Sequence, residues 1–124
     1  MPITEVVFYQ EADGHSPVVA WLEELSSKDA TAYAKCVAAI QRLEADGHAL
    51  RRPTADLLRD GIYELRVRKG HVNYRILYFF HGRNVAILAH GITKEAEVPR
   101  VEIDRALRRK KAFEADPEQH TYRE

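Results

Sequence analysis

Apolar residues recur at two different periods along this chain, and the changes between them mark out its elements. Residues 3–9 carry the β-branched and aromatic run Val6-Val7-Phe8, which predicts a first strand. Asp13-Gly14 breaks the run. Ser16 then stands where an N-cap belongs, with Pro17 at the first helical position. Val18, Trp21, Leu22 and Leu25 follow at spacings of three and four, giving a helix over 17–25 with one apolar face. Ser26-Ser27 interrupts it. An alanine-rich segment over 28–46 predicts a second helix, ended by Gly47 at the left-handed C′ position. The two helices are expected to form a hairpin. Residues 48–60 read as a connection, with a short helical turn near 55–58.

The period then drops to two. Residues 62–68, 72–80 and 85–92 read as three strands, separated by Lys69-Gly70-His71 and His81-Gly82-Arg83-Asn84, short Gly-containing turns that predict an antiparallel meander. Val98-Pro99 opens a last helix running to about residue 115, with Ile103, Ala106, Leu107, Lys110 and Phe113 on one side and Pro117 as its stop. No repeat, low-complexity stretch or linker divides the chain, so one domain is expected over 1–116 and a loose tail over 117–124. The order predicts an α+β fold in two layers: an antiparallel sheet of about four strands, an N-terminal helical hairpin and a C-terminal helix.

Pleating sends alternate side chains to opposite faces. Tyr63, Leu65 and Val67 share one face of their strand, and Glu64, Arg66 and Arg68 the other. In the next strand Val72, Tyr74, Ile76, Tyr78 and Phe80 oppose Asn73, Arg75, Leu77 and Phe79. In the third, Ala86, Leu88, His90 and Ile92 oppose Val85, Ile87, Ala89 and Gly91. Two arginines and a carboxylate on one strand face are not core material. Arg66, Arg68, Arg75, His90 and Lys94 are candidates to converge on a basic pocket, with the cross-strand register left open by the sequence.

Composition sharpens this reading. Of 124 residues, 45% are hydrophobic and 31% charged, the balance of a globular domain rather than a disordered segment. Lys+Arg and Asp+Glu both number 19, so nucleic acid could be held only by a local concentration of cations. Cys36 is the sole cysteine, which excludes an internal disulfide, and it reads as a small buried hydrophobe. The histidines lack metal-ligand spacing, so neither metal nor cofactor is expected. The longest apolar run, Ile76-Leu77-Tyr78-Phe79-Phe80, is too short for a bilayer, and no secretory leader is evident. A cytoplasmic protein without membrane contact is the expectation.

Tyr63-Glu64-Leu65-Arg66, then Tyr74-Arg75-Ile76-Leu77-Tyr78, then His90-Gly91-Ile92-Thr93-Lys94 and Val98-Pro99, together with Trp21-Leu22-Glu23-Glu24-Leu25 in the first helix, resemble the RelE/ParE superfamily of type II toxins. The closer likeness is to its HigB-like, phage-derived branch, and it spans residues 3–113. The resemblance implies a RelE-like fold and ribosome-dependent, metal-independent cleavage of mRNA. It also implies a helix-turn-helix antitoxin encoded in an adjacent gene. In that chemistry the RNA 2′-OH attacks the neighbouring phosphate, leaving a 2′,3′-cyclic phosphate and a free 5′-OH.

Arginine suits the crowded phosphorane, because its planar fork pairs two oxygens and keeps its charge. The catalytic candidates are Arg75, His90, Lys94 and Arg66, with His90 as acid or base because imidazole titrates near neutrality. Arg68, Tyr63, Tyr74 and Tyr78 are candidates for substrate binding, the tyrosines by stacking on bases. Structural readings stand beside these: the tyrosines as core, His90 as a hydrogen-bonded strand-end residue, Glu64 as a partner for an arginine, and Arg108-Arg109-Lys110-Lys111 as a solvated helix face or a contact for rRNA or antitoxin. Two other functions stay open. One is a non-catalytic binding module, favoured by the neutral charge and by Glu95 and Glu97. The other is a gyrase-directed toxin.

Overall fold

A computed structural model describes residues 3–94 and 97–123. The chain runs β1 (Glu5–Phe8), α1 (Pro17–Lys28), α2 (Ala30–Asp46), a 3₁₀ turn (Gly47–Ala49), β2 (Ala55–Arg59), β3 (Ile62–Lys69), β4 (Val72–His81), β5 (Val85–Lys94) and α3 (Arg100–Ala115). The strands form one sheet in the order β1-β5-β4-β3-β2, with β1 parallel to β5 and every other pairing antiparallel. The predicted α+β class, helical hairpin, meander and C-terminal helix are all present.

The caps act as the sequence suggests, with one shift. Ser16 Oγ accepts from the Val19 N–H and opens α1. Ser26-Ser27 does not end that helix: the Ser26 hydroxyl donates to Glu23 O, and the break falls at Asp29, whose carboxylate caps α2 at the Ala32 N–H. Gly47 ends α2 at φ 52°. A Cβ there would sit 2.2 Å from Thr4 Oγ1, so the position needs glycine for its backbone and for space.

The expected helical turn at 55–58 is instead β2, a fifth strand paired with β3. Residues 55–59 extend because the edge of β3 offers unpaired main-chain groups that a single helical turn would leave unsatisfied.

The two faces carry separate cores. α1 and α2 cover Leu65, Tyr74, Ile76, Tyr78, Ala86 and Leu88, joined by Val18, Leu22, Leu25, Cys36, Ile40 and Leu43. Burial pushes the Cys36 thiol up to about 11, as befits a packing residue. α3 covers part of the opposite face, where Ala106 and Phe113 meet Leu77, Phe79, Ile87 and Ala89. The helices thus flank the sheet on both sides. The tail is held as well: His120 stacks on Tyr9, Thr121 bridges to Tyr9, and the Tyr122 N–H donates to Phe8 O, so residues 120–122 run along β1. Among the described residues no helix is long and apolar enough to cross a membrane.

Candidate functional site

The β3–β4 register decides which charges meet. Arg66 lies directly opposite Arg75, Arg68 opposite Asn73, and Glu64 opposite Leu77. Glu64, Arg66, Arg68 and Arg75 therefore share the sheet face that α3 only partly covers. Like charges placed directly across a sheet repel, and here the Glu64 carboxylate, attracted to both guanidiniums, offsets that repulsion.

Arg75 is nearly buried, and its Nε lies 3.0 Å from Glu64 Oε1. Both side chains are about nine-tenths covered (10% and 8% exposed), so the pair belongs to the interior. Burial raises the Glu64 carboxyl above its ordinary range, more than Arg75 and Arg66 together lower it. Arg66 differs. Its side chain is exposed and makes no hydrogen bond or ion pair among the described residues. Its backbone N–H donates to Thr54 O at 2.7 Å.

Two grooves meet at this arginine pair. One, of about 290 Å³, is lined by Pro53, Thr54, Arg66, Val67, Arg68, Asn73 and Arg75, with no carboxylate among the described residues. The other, of about 400 Å³, combines Arg52, Arg66 and Arg75 with Asp56, Glu64 and Glu97. Arg52 donates to Asp56 at 2.8 Å, and this bond holds the Asp56 carboxyl below the usual carboxylate range. The positive field is thus strongest toward Arg68 and weakest toward Glu64. Lys94 is in register with Asn73 at the end of β5; its side chain lies outside the described residues.

His90 is not in either groove. A bulge in β5 shifts the β4–β5 register: Leu77 pairs with His90, but Tyr78 pairs with Leu88. Strict alternation would group His90 with Ala86 and Leu88; the extra residue turns it to the other face instead. There α3 roofs it. Arg109 approaches His90 Nδ1 at 2.7 Å, and His90 Nε2 lies 3.1 Å from Glu102 Oε1. A guanidinium can only donate, so Nδ1 accepts and the proton sits on Nε2, which donates to Glu102. Burial first, then the charge of Arg109, lowers the His90 imidazole to about 4. Near neutrality it is a neutral imidazole with both ring nitrogens bonded to side chains of α3, in keeping with the structural reading of His90 as a hydrogen-bonded strand residue.

The tyrosines likewise take their structural reading. Tyr74 and Tyr78 are buried in the core under α1 and α2, on the face away from the arginines. Half-buried Tyr63 stacks on Tyr78 at 5.4 Å on that same face. Pleating separates them from Arg66, so they are not stacking platforms for a ligand held there. The basic run of α3 is not uniformly solvated either, since Arg109 is drawn into the His90 network and reaches Glu11 at 3.5 Å.

Thr54, Asn73 and Arg52 enter the site without having been singled out. Arg52 and Thr54 arrive only because residues 55–59 pair with β3, a contact hidden while that segment read as a connection. Asn73 could have been found from its alternation with Arg75.

The family described as Phage derived protein Gp49-like (DUF891) matches residues 21–111, most of the chain and all of β2 to β5. Comparison with curated proteins finds no match.

Proposed function

Because the chain belongs to the Gp49-like phage-derived family, a RelE/ParE-like toxin family, we propose that it is the toxin of a type II toxin–antitoxin pair, of the HigB-like kind, and cuts mRNA on the ribosome at the arginine groove. The observation that carries this reading is the opposition of Arg66 and Arg75 across β3 and β4, with Arg68 beside them in a groove whose described lining holds no carboxylate. Repelling guanidinium groups gathered in one concavity suit a dianionic phosphorane.

In the proposed reaction the 2′-oxygen bonds to phosphorus as the bond from phosphorus to the 5′-oxygen breaks. Arg66 and Arg68 hold the phosphate oxygens, and buried Arg75 fixes the groove floor. Glu64 takes the 2′-hydroxyl proton, a role suited to a carboxylate whose proton affinity burial has raised. The leaving 5′-oxygen takes a proton from Lys94. An in-line displacement needs its proton acceptor and donor on opposite sides of phosphorus. Glu64 and Lys94 belong to opposite ends of the Arg66–Arg75 pair in the register. An antitoxin partner follows from the family.

Arg66→Ala tests this with little risk to the fold. It is expected to end growth arrest on expression and to lower mRNA cleavage on ribosomes by about 100-fold or more. Undiminished toxicity at equal expression would sink the reading. The interior Arg75–Glu64 pair favours one alternative, a module that binds without cutting. In that case the parent protein would shift RNA and leave no 2′,3′-cyclic phosphate ends.

A further inference from the structure

A third concavity lies on the other side of β3. β2 pairs with β3 only from Ile62 to Leu65, so the far half of β3 ends in an uncovered edge. Between that edge and α2 is a cleft of about 570 Å³, rimmed by Lys35, Arg42, Arg66 and Arg68. Among the described residues no carboxylate lines it. Lys35 and Arg42 are two helical turns apart on α2, about 10 Å along its axis, with Ala38 and Ala45 on the same stripe. Both cations are exposed and loosely held: Lys35 Nζ reaches Arg68 O at 3.4 Å, and Arg42 Nε lies 3.6 Å from Asp46. In a chain with no net charge, four cations facing one space are a marked local excess.

Arg66 and Arg68 line both this cleft and the smaller arginine groove. The two concavities are therefore continuous around the open edge of β3. We propose that this cleft is a second binding surface for the RNA phosphate backbone, and that the strand leaving the arginine groove wraps the edge of β3 and is tracked by Lys35 and Arg42. This deepens the RNA-directed reading above and rests on it.

The lining favours a nucleic-acid backbone over an acidic polypeptide. Ala38, Ala39, Ala45 and Val67 make a shallow floor with no pocket for the bulky anchor side chain that protein interfaces rely on. Strand addition at the edge is also partly pre-empted, because Thr54 O already accepts from the Arg66 N–H and Lys35 occupies Arg68 O. Among the described residues no aromatic group lines it, so the surface should hold phosphate without base preference.

The test compares the full-length protein with the double variant Lys35→Gln/Arg42→Gln, its fold checked by circular dichroism and thermal melting. The probes are fluorescent oligouridines of about 20 and about 4 nucleotides, long and short relative to typical single-strand sites. Removing two phosphate contacts should lower the slope of log affinity against log salt by about 1.4 for the long probe. The long probe should bind about tenfold more weakly at moderate salt, and the short probe, confined to the arginine groove, as before. If the double variant binds the long probe like the parent while Arg66→Ala weakens both probes, the second surface is refuted and the first site stands. If the parent binds neither RNA, the second surface is refuted, while mRNA cleavage on ribosomes by the parent and by Arg66→Ala decides the first site on its own. Capture of polyglutamate by the parent, lost in the double variant with RNA binding unchanged, would make the cleft a polypeptide surface and overturn the proposal.

Discussion

Arg66 and His90 stand on the same face of one sheet, two strands apart, yet they have opposite fates. Arg66 is open to solvent at a groove, and its guanidinium makes no hydrogen bond or ion pair among the described residues. His90 is 6% exposed, with both ring nitrogens committed to α3. The difference comes from coverage. α3 seals the β5 side of the face and leaves the outer half of β3 bare. A titratable group beneath a helix is consumed in holding that helix; cations beyond its reach remain free for a ligand. Residue type alone would have ranked the histidine first.

Arg75 lies between these extremes and gives the largest expected effect. Arg75→Ala leaves Glu64 buried without its ion-pair partner and should destabilise the domain by about 3–5 kcal/mol in urea denaturation. Replacing both with leucine removes the stranded charge and should recover most of that loss. If Arg75→Ala melts like the parent, the pair is not interior and the contrast with Arg66 collapses.

The closed cluster has its own signature in pH. His90 is held near 4 in the folded protein against about 6.5 in the unfolded chain. Below pH 6.5 the unfolded chain therefore binds a proton that the folded chain refuses, so stability falls with pH through the window from 6.5 to 4. By pH 5 the expected loss is about 2 kcal/mol. Glu64 works the other way. Its raised carboxyl takes up protons more readily in the folded state, giving a contribution present in acid and lost as pH rises. The His90→Asn variant separates the two, since its stability should decline less between pH 6.5 and 5 than the parent's. Parallel pH profiles for the two proteins would contradict the burial of a neutral His90.

How much of this could be read from residues alone varied with the distance over which the deciding contact acts. Helix caps, hairpin turns and the alternation of Arg66, Arg68 and Arg75 are local or nearly so, and they placed α1 to α3, β3 to β5 and the arginine face. β2 was missed because Ala55–Arg59 becomes a strand only through its pairing with β3. The inversion of His90 was missed because a bulge leaves no mark in a run of small and apolar residues. Gly91 was a faint clue: a Cβ there would sit 2.1 Å from the Trp21 ring, so the side chain pointing at α1 had to be absent. Between the two readings of the tyrosines, stacking platform or core, the sequence could not choose for want of one fact, that the helical hairpin covers their face and not the arginines'.

The smallest expected effect bears most directly on function. Arg66 directly opposes Arg75, and nothing among the described residues neutralises its side chain by a direct bond. Its one ladder bond to Thr54 is made by the backbone and survives substitution. Arg66→Ala should therefore shift stability by no more than about 0.5 kcal/mol, since it removes only an exposed charge whose attraction to Glu64 and Asp56 is offset by its opposition to Arg75. Of the two facing guanidiniums only Arg75 has an interior ion pair to hold it, and an exposed arginine kept opposite it without a direct bond breaks a local rule of the kind that concentrates where a site needs it. A loss of more than about 2 kcal/mol on Arg66→Ala would mean that the arginine is structural after all. The open cluster would then be no different in kind from the closed one beneath α3.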